Sequence, residues 1–144
     1  MGKVIYHWHQ LRCVAGGCIL GHVEVEVEVL GSKAAKMVRM LVDTGSAYLI
    51  LPPSLVEEIG AVRLPFKTKA SLANGGELNV ETTVVEVEVE KRRVPAIALI
   101  METKEPLLGV EALEAMGFRV DSTTGRLEAT RGYAVRAYGV LEVH

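Results

Sequence analysis

Two stretches alternate valine with glutamate: "HVEVEVEVL", His22 to Leu30, and "VVEVEVE", Val84 to Glu90. Successive side chains of a β-strand point to opposite faces, so each stretch has one apolar face and one charged face. Both must lie on a core as half-buried strands. Glu24, Glu26, Glu28, Glu86, Glu88 and Glu90 are then expected to form a solvated face.

The intervening chain supplies the turns that such strands need. Leu30-Gly31-Ser32-Lys33 reads as a turn, and "AAKMVRMLV" returns as the second strand of a hairpin ending at Asp43. After "YLILPPS", Ser54 is expected to cap a short helix, "LVEEIG", closed by Gly60. Asn74-Gly75-Gly76 lies between "AVRLPFKTKASLA" and "GELNVETTVVEVEVE", a strong hairpin signal. Lys91-Arg92-Arg93 is read as a solvated turn before a further strand, "VPAIALIME". "PLLGVEALEAMG" predicts a small apolar run and a helix ending at Gly117. "FRVDSTTGRLEAT" predicts a last hairpin turning at Ser122 to Gly125, with Asp121 serving that turn through its own hydrogen bonds. The tail "GYAVRAYGVLEVH", with Tyr133 and Tyr138, is expected to form another strand or pack on a partner. Short strands with two brief helices indicate an all-β, barrel-like fold. The 144 residues fit a single domain, 1–144.

Composition narrows the function classes. Sixteen basic residues stand against eighteen acidic ones, a net charge of −2. A surface for nucleic acid or anionic membrane needs clustered positive charge, so neither partner is expected. No apolar run is long enough to span a bilayer. The chain opens without the order of a secretory signal, and Tyr6 stands where a myristoylation signal wants Ser or Thr. The expectation is a soluble, cytoplasmic protein. Asn74, Asn79 and Gln10 are the only side-chain amides, and with abundant Val, Glu, Lys and Arg this resembles thermophile composition. Cys13 and Cys18 leave two readings open: a disulfide around Ala15-Gly16-Gly17, or two free thiols. His7 and His9 flank Trp8 and would share a face of a strand. With the two cysteines they offer zinc donors, but the spacing matches no paired-knuckle pattern, and a surface strand is the preferred reading. His22 and His144 are read as structural or exposed. No metal and no cofactor is assigned.

The chemistry concentrates in "LVDTGSAYLILP", Leu41 to Pro52, where an acid ends an apolar strand. Asp is rarely buried without a partner. One isolated carboxylate is a weak base, whereas two in contact share a proton, so that one accepts from water while the other donates. Gly45 allows a tight turn, Thr44 offers a hydroxyl to brace the loop, and Ser46 is placed to hydrogen-bond an outer oxygen of Asp43.

Asp43-Thr44-Gly45-Ser46 in this apolar setting resembles the active-site motif of aspartic proteases, in particular the single-domain, retropepsin-like branch. Pro106-Leu107-Leu108-Gly109 followed by "VEALEAMG" is similar to the family's second hydrophobic-hydrophobic-Gly element, and the hairpin through Asn74-Gly75-Gly76 stands where the family has its flap. The resemblance covers roughly residues 23–130, leaving both ends as extensions. It implies a closed barrel of short antiparallel strands with one or two short helices. It also implies an endopeptidase whose catalytic loop is Asp43, Thr44 and Gly45, with substrate contacts from Ser46, Ala47, Leu72, Ala73, Asn74, Gly75, Gly76 and Leu108. Only one Asp-Thr-Gly occurs, so the resemblance implies a homodimer in which each chain supplies one Asp, with Thr44 bracing across the two-fold axis. Peptide or protein is the implied substrate, and no metal or cofactor is required. Val110 follows Gly109 where retroviral enzymes have an Arg that helps fix the dimer, and the flap here has fewer glycines. The alternative is a protease-like dimeric module that binds extended peptides or partner proteins without efficient cleavage.

Overall fold

The computed structural model describes residues 12–14, 17–19, 23–72, 74–121 and 123–132. Its elements in chain order are β1 (Arg12–Val14), β2 (Gly17–Ile19), β3 (Val23–Leu30), β4 (Ala35–Asp43), β5 (Leu49–Leu51), α1 (Pro53–Ile59), β6 (Arg63–Ser71), β7 (Glu77–Val89), β8 (Arg92–Ile100), β9 (Leu107–Gly109), α2 (Val110–Ala115), β10 (Phe118–Asp121) and β11 (Arg126–Ala129). A seven-stranded sheet runs β3-β4-β9-β5-β8-β7-β6, and a further β3–β7 pairing closes its first six strands into a barrel. β1–β2 and β10–β11 are separate two-stranded sheets. The all-β barrel expected from the sequence is the fold observed.

The two valine–glutamate runs are the staves that meet at the closure. Glu28 pairs with Glu88, Val29 with Val87 and Leu30 with Glu86. Val25, Val27, Val29, Val87 and Val89 are fully buried, so the apolar faces of both strands merge into one core. Closure sets Glu28 opposite Glu88, a like-charge pair that is unfavourable in a sheet. Arg93 offsets it, lying 3.4 Å from Glu88 and 3.8 Å from Glu86. One glutamate departs from the solvated row: Glu24 is buried, with Arg39 of the paired strand 3.9 Å away. The alternation is right, but this end of β3 is covered on both faces, Val23 and Val25 on one and Glu24 on the other.

α1 begins two residues before the sequence suggests. Pro52 occupies the cap position with extended backbone and Pro53 follows at the first helical position, where its fixed φ suits a helix and its missing N–H is no loss. Ser54 therefore lies inside the helix and does not cap it. Gly60 closes the helix in the left-handed region, φ +69°, as expected.

The basic run is not simply a solvated turn. Glu90 and Lys91, both at positive φ, form the two-residue turn, and Arg92 already belongs to β8. Arg92 Nη1 donates to the carbonyls of Met116 (2.9 Å) and Arg131 (3.0 Å), and the guanidinium lies 4.7 Å from the centroid of the Phe118 ring. Arg131 Nη2 donates to the Glu114 and Ala115 carbonyls, and the Thr130 N–H and hydroxyl both donate to the Gly117 carbonyl. These donors satisfy the carbonyls that end α2 and tie the last hairpin to the barrel. Arg92→Ala should lower stability by about 1.5–3 kcal/mol, the range for charge-assisted hydrogen bonds to half-buried acceptors. An unchanged midpoint in urea unfolding would show that water replaces the guanidinium freely.

The β10–β11 turn uses Asp121 as expected. Its Oδ1 accepts from the hydroxyl and the backbone N–H of Thr123, and these two bonds hold the Asp121 carboxyl below its usual range. A lowered folded pKa means that this contribution is present above the ordinary carboxylate range and is lost as pH falls through the folded value. The readings for His7, Trp8, His9, His22 and the tail from Tyr133 onward fall outside the described residues. No helix among the described residues is long and apolar enough to cross a membrane.

Candidate active site

Asp43 is the last residue of β4, and what lies beside it follows from one parallel pairing. β4 runs alongside β9 with Leu41 opposite Leu107, Val42 opposite Leu108 and Asp43 opposite Gly109. The chain then loops through residues 44–48 and returns as β5 on the other side of β9, Ile50 meeting Leu107. The Asp43 loop must therefore cross the end of β9, at Gly109.

That crossing has no room for a side chain. A Cβ on Gly109 would lie 2.5 Å from the Tyr48 carbonyl oxygen and 2.6 Å from that of Ala47. Gly109 has ordinary φ of −81°, so space and not conformational freedom demands glycine. The same crossing caps α2. Val110 N–H donates to the Ser46 carbonyl (2.8 Å) and Glu111 N–H to that of Ala47 (3.2 Å), so the helix uses loop carbonyls where a side-chain cap is absent. The apolar-apolar-Gly-helix segment and the Asp loop are thus one interlocked unit.

Within the loop, Gly45 N–H donates to Asp43 Oδ1 at 2.9 Å, and Ser46 N–H to the Asp43 carbonyl at 3.2 Å. A Cβ on Gly45 would come within 3.3 Å of Oδ1, so glycine lets the backbone approach the carboxylate. Asp43 is half-buried, and no described group hydrogen-bonds its Oδ2. The carboxylate has one oxygen anchored and one available.

The neighbours divide. Thr44 is exposed and its hydroxyl bonds no described group, so it does not brace its own loop. Ser46 differs from expectation: its Oγ donates to the Tyr48 carbonyl at 2.8 Å instead of to Asp43. Ala47 is exposed at the loop tip. Leu108 is corrected: its side chain is fully buried in the main core and presents no surface to a peptide. In the hairpin, Leu72 N–H donates to the Gly76 carbonyl, Gly75 N–H to that of Leu72, and Gly76 N–H to Asn74 Oδ1 at 2.9 Å. Gly75 holds φ +85°, which favours glycine. Ala73 lies outside the described residues.

Sequence reasoning missed a second apolar cluster. Buried Ala70, Val80 and Leu99 pack with half-exposed Tyr48, Ile50 and Met101, joining the base of the β6–β7 hairpin to the segment just after the Asp43 loop. The signal was present in "YLIL": Leu49 and Leu51 are buried in the main core, so apolar Tyr48 and Ile50 must serve the opposite face. A groove of about 430 Å³ lies along the same hairpin, between Arg63, Lys67, Leu78, Glu81, Ile100 and Glu102. Asp43 does not line it. Among the described residues no group of three or more His, Cys, Asp and Glu side chains converges as a metal site.

Comparison with known proteins fits this geometry. The family model described as "gag-polyprotein putative aspartyl protease" matches residues 25–115, from β3 to the end of α2. The solved structure of the EIAV protease complexed with the inhibitor HBY-793 is similar, with TM-score 0.54 and 18% identity over 67% of this chain and 88% of that one. The solution structure of the simian foamy virus (mac) protease has TM-score 0.48 and 19% identity over 63% of this chain and 91% of that one. No match was found among curated proteins.

Proposed function

Because the chain belongs to the aspartyl protease family of gag polyproteins, we propose that it is an aspartic endopeptidase acting as a homodimer, with Asp43 of each copy forming one carboxylate pair. The observation that carries this reading is the half-buried Asp43, anchored by Gly45 N–H on a loop whose outer residues Thr44, Gly45 and Ala47 are exposed. A single chain brings one such acid to an open surface. A second copy, related by a two-fold axis, would bring its own loop against it, and the free Thr44 hydroxyl would find its acceptor there.

The pair then works as a unit. Two carboxylates in contact retain one proton between them, because both cannot ionise cheaply. The ionised member takes a proton from water as the water oxygen attacks the peptide carbonyl carbon. The protonated member gives its proton to the carbonyl oxygen. Collapse of the tetrahedral adduct breaks the C–N bond, and the amine leaves with a proton returned from the pair. An extended peptide would lie between the loops and the Leu72–Glu77 hairpin, which would close over it as a flap and exclude water. Tyr48, Ile50 and Met101 would support an apolar side chain of that peptide.

Digestion of a mixed peptide library over a range of pH tests this reading. The expected profile is bell-shaped with its maximum below neutral, since activity needs one proton on the pair, neither two nor none. A rate that stays flat through neutral pH contradicts the shared-proton site. Peptides retained but left uncut at every pH would make the chain a binding module.

A further inference from the structure

The hairpin ahead of the barrel carries both cysteines of the chain. β1 and β2 pair antiparallel with Arg12 opposite Ile19, Cys13 opposite Cys18 and Val14 opposite Gly17. Only Ala15 and Gly16 connect them. In one extended strand, residues five apart would be separated by about 17 Å. The β1–β2 register instead makes Cys13 and Cys18 direct partners. Opposed Cα atoms in an antiparallel ladder lie about 4.5–5.5 Å apart, within the span of about 4.4–6.8 Å that a disulfide bridges.

A second observation gives such a bond a role. The β1–β2 pair is a sheet of its own, with three residue pairs and no further strand among the described residues. A lone two-stranded hairpin is marginal in water. A covalent link at its middle pair would hold it closed without a larger sheet.

We propose that Cys13 and Cys18 are a dithiol–disulfide site, oxidised reversibly by a small-molecule disulfide to cross-link the hairpin. The step balances. A thiolate from one cysteine attacks a sulfur of the small disulfide, forming a mixed disulfide and releasing one small thiol. The other cysteine, as thiolate, attacks the protein sulfur of that mixed disulfide, closing Cys13–Cys18 and releasing the second small thiol. Two protein thiols lose two electrons and two protons, and the small disulfide is reduced to two thiols. The site is independent of the proposed protease activity.

The test is redox titration of the full chain in mixtures of reduced and oxidised glutathione, quenched with acid, alkylated and digested. Trypsin places both cysteines on one fragment, Cys13–Lys33. The expected product of the folded chain is that fragment 2 Da lighter than its reduced form, with no alkyl group. Any two cysteines five apart can close a ring, so the folded chain is compared with the chain in strong urea. The folded hairpin should reach half-oxidation at a ratio of oxidised to squared reduced glutathione about tenfold lower, or less, because its register preorganises the pair. Equal midpoints overturn the proposal, as do two alkylated cysteines, a persistent glutathione adduct or a disulfide between chains. Cys18→Ser should stop at the mixed disulfide on Cys13; loss of 2 Da in that variant would also overturn it.

Discussion

Asp43→Asn is expected to abolish peptide cleavage, lowering kcat by about 10⁴-fold or more, as removal of one member of a catalytic unit does. Asparagine keeps the shape of the side chain and an oxygen to accept the Gly45 N–H, so the loop has no reason to move. What it loses is the ability to take a proton from water. Stability should stay within about 1 kcal/mol of the parent, since Asp43 is half-buried and has no described ion-pair partner. Sedimentation mass measured beside cleavage separates the two effects. An Asp43→Asn chain that retains a tenth of the parent activity would place the chemistry elsewhere.

Gly109→Ala is expected to produce the opposite pattern, with stability and activity lost together. The added methyl would stand 2.5 Å from the Tyr48 oxygen and 2.6 Å from the Ala47 oxygen, both of them backbone atoms. A flexible side chain could swing away from such a contact. These carbonyls cannot, because the loop is pinned through Ser46 and Ala47 to the first N–H groups of α2. Overpacking costs about 1–3 kcal/mol and occasionally more, and contact with fixed backbone puts this site at the upper end, since relief requires parting β9 from the Asp43 loop. Thermal unfolding should show the loss directly. A Gly109→Ala protein with unchanged unfolding and full activity would mean that the loop does not cross β9 as closely as described.

Much of this architecture is legible in local sequence because its determinants are local. Valine–glutamate alternation sets strand faces. The Asn74-Gly75 turn and the Gly60 and Gly117 helix ends sit where the residues place them. Local signals failed where a distant segment decides. Ser54 is a different case, two local signals in competition: it looked like a cap, but the prolines just before it pre-set the helix start. Arg92 looked like part of a solvated turn, because its acceptors at Met116 and Arg131 lie 24 and 39 residues away. In "LLG" nothing local tells which leucine is internal; the β4–β9 register does, and it buries Leu108. The wall of Tyr48, Ile50, Ala70, Val80, Leu99 and Met101 is assembled from four strands and their flanks, so no single segment reveals it.

The central claim is that one active site takes Asp43 from each of two chains. Wild-type and Asp43→Asn chains, unfolded together and refolded in equal amounts, test it most directly. A shared site is active only when both subunits are wild type, so activity should follow the square of the wild-type fraction, leaving about one quarter in the equal mixture. Activity that instead follows the fraction itself, leaving about one half, would mean that each chain carries a complete site and would contradict the account.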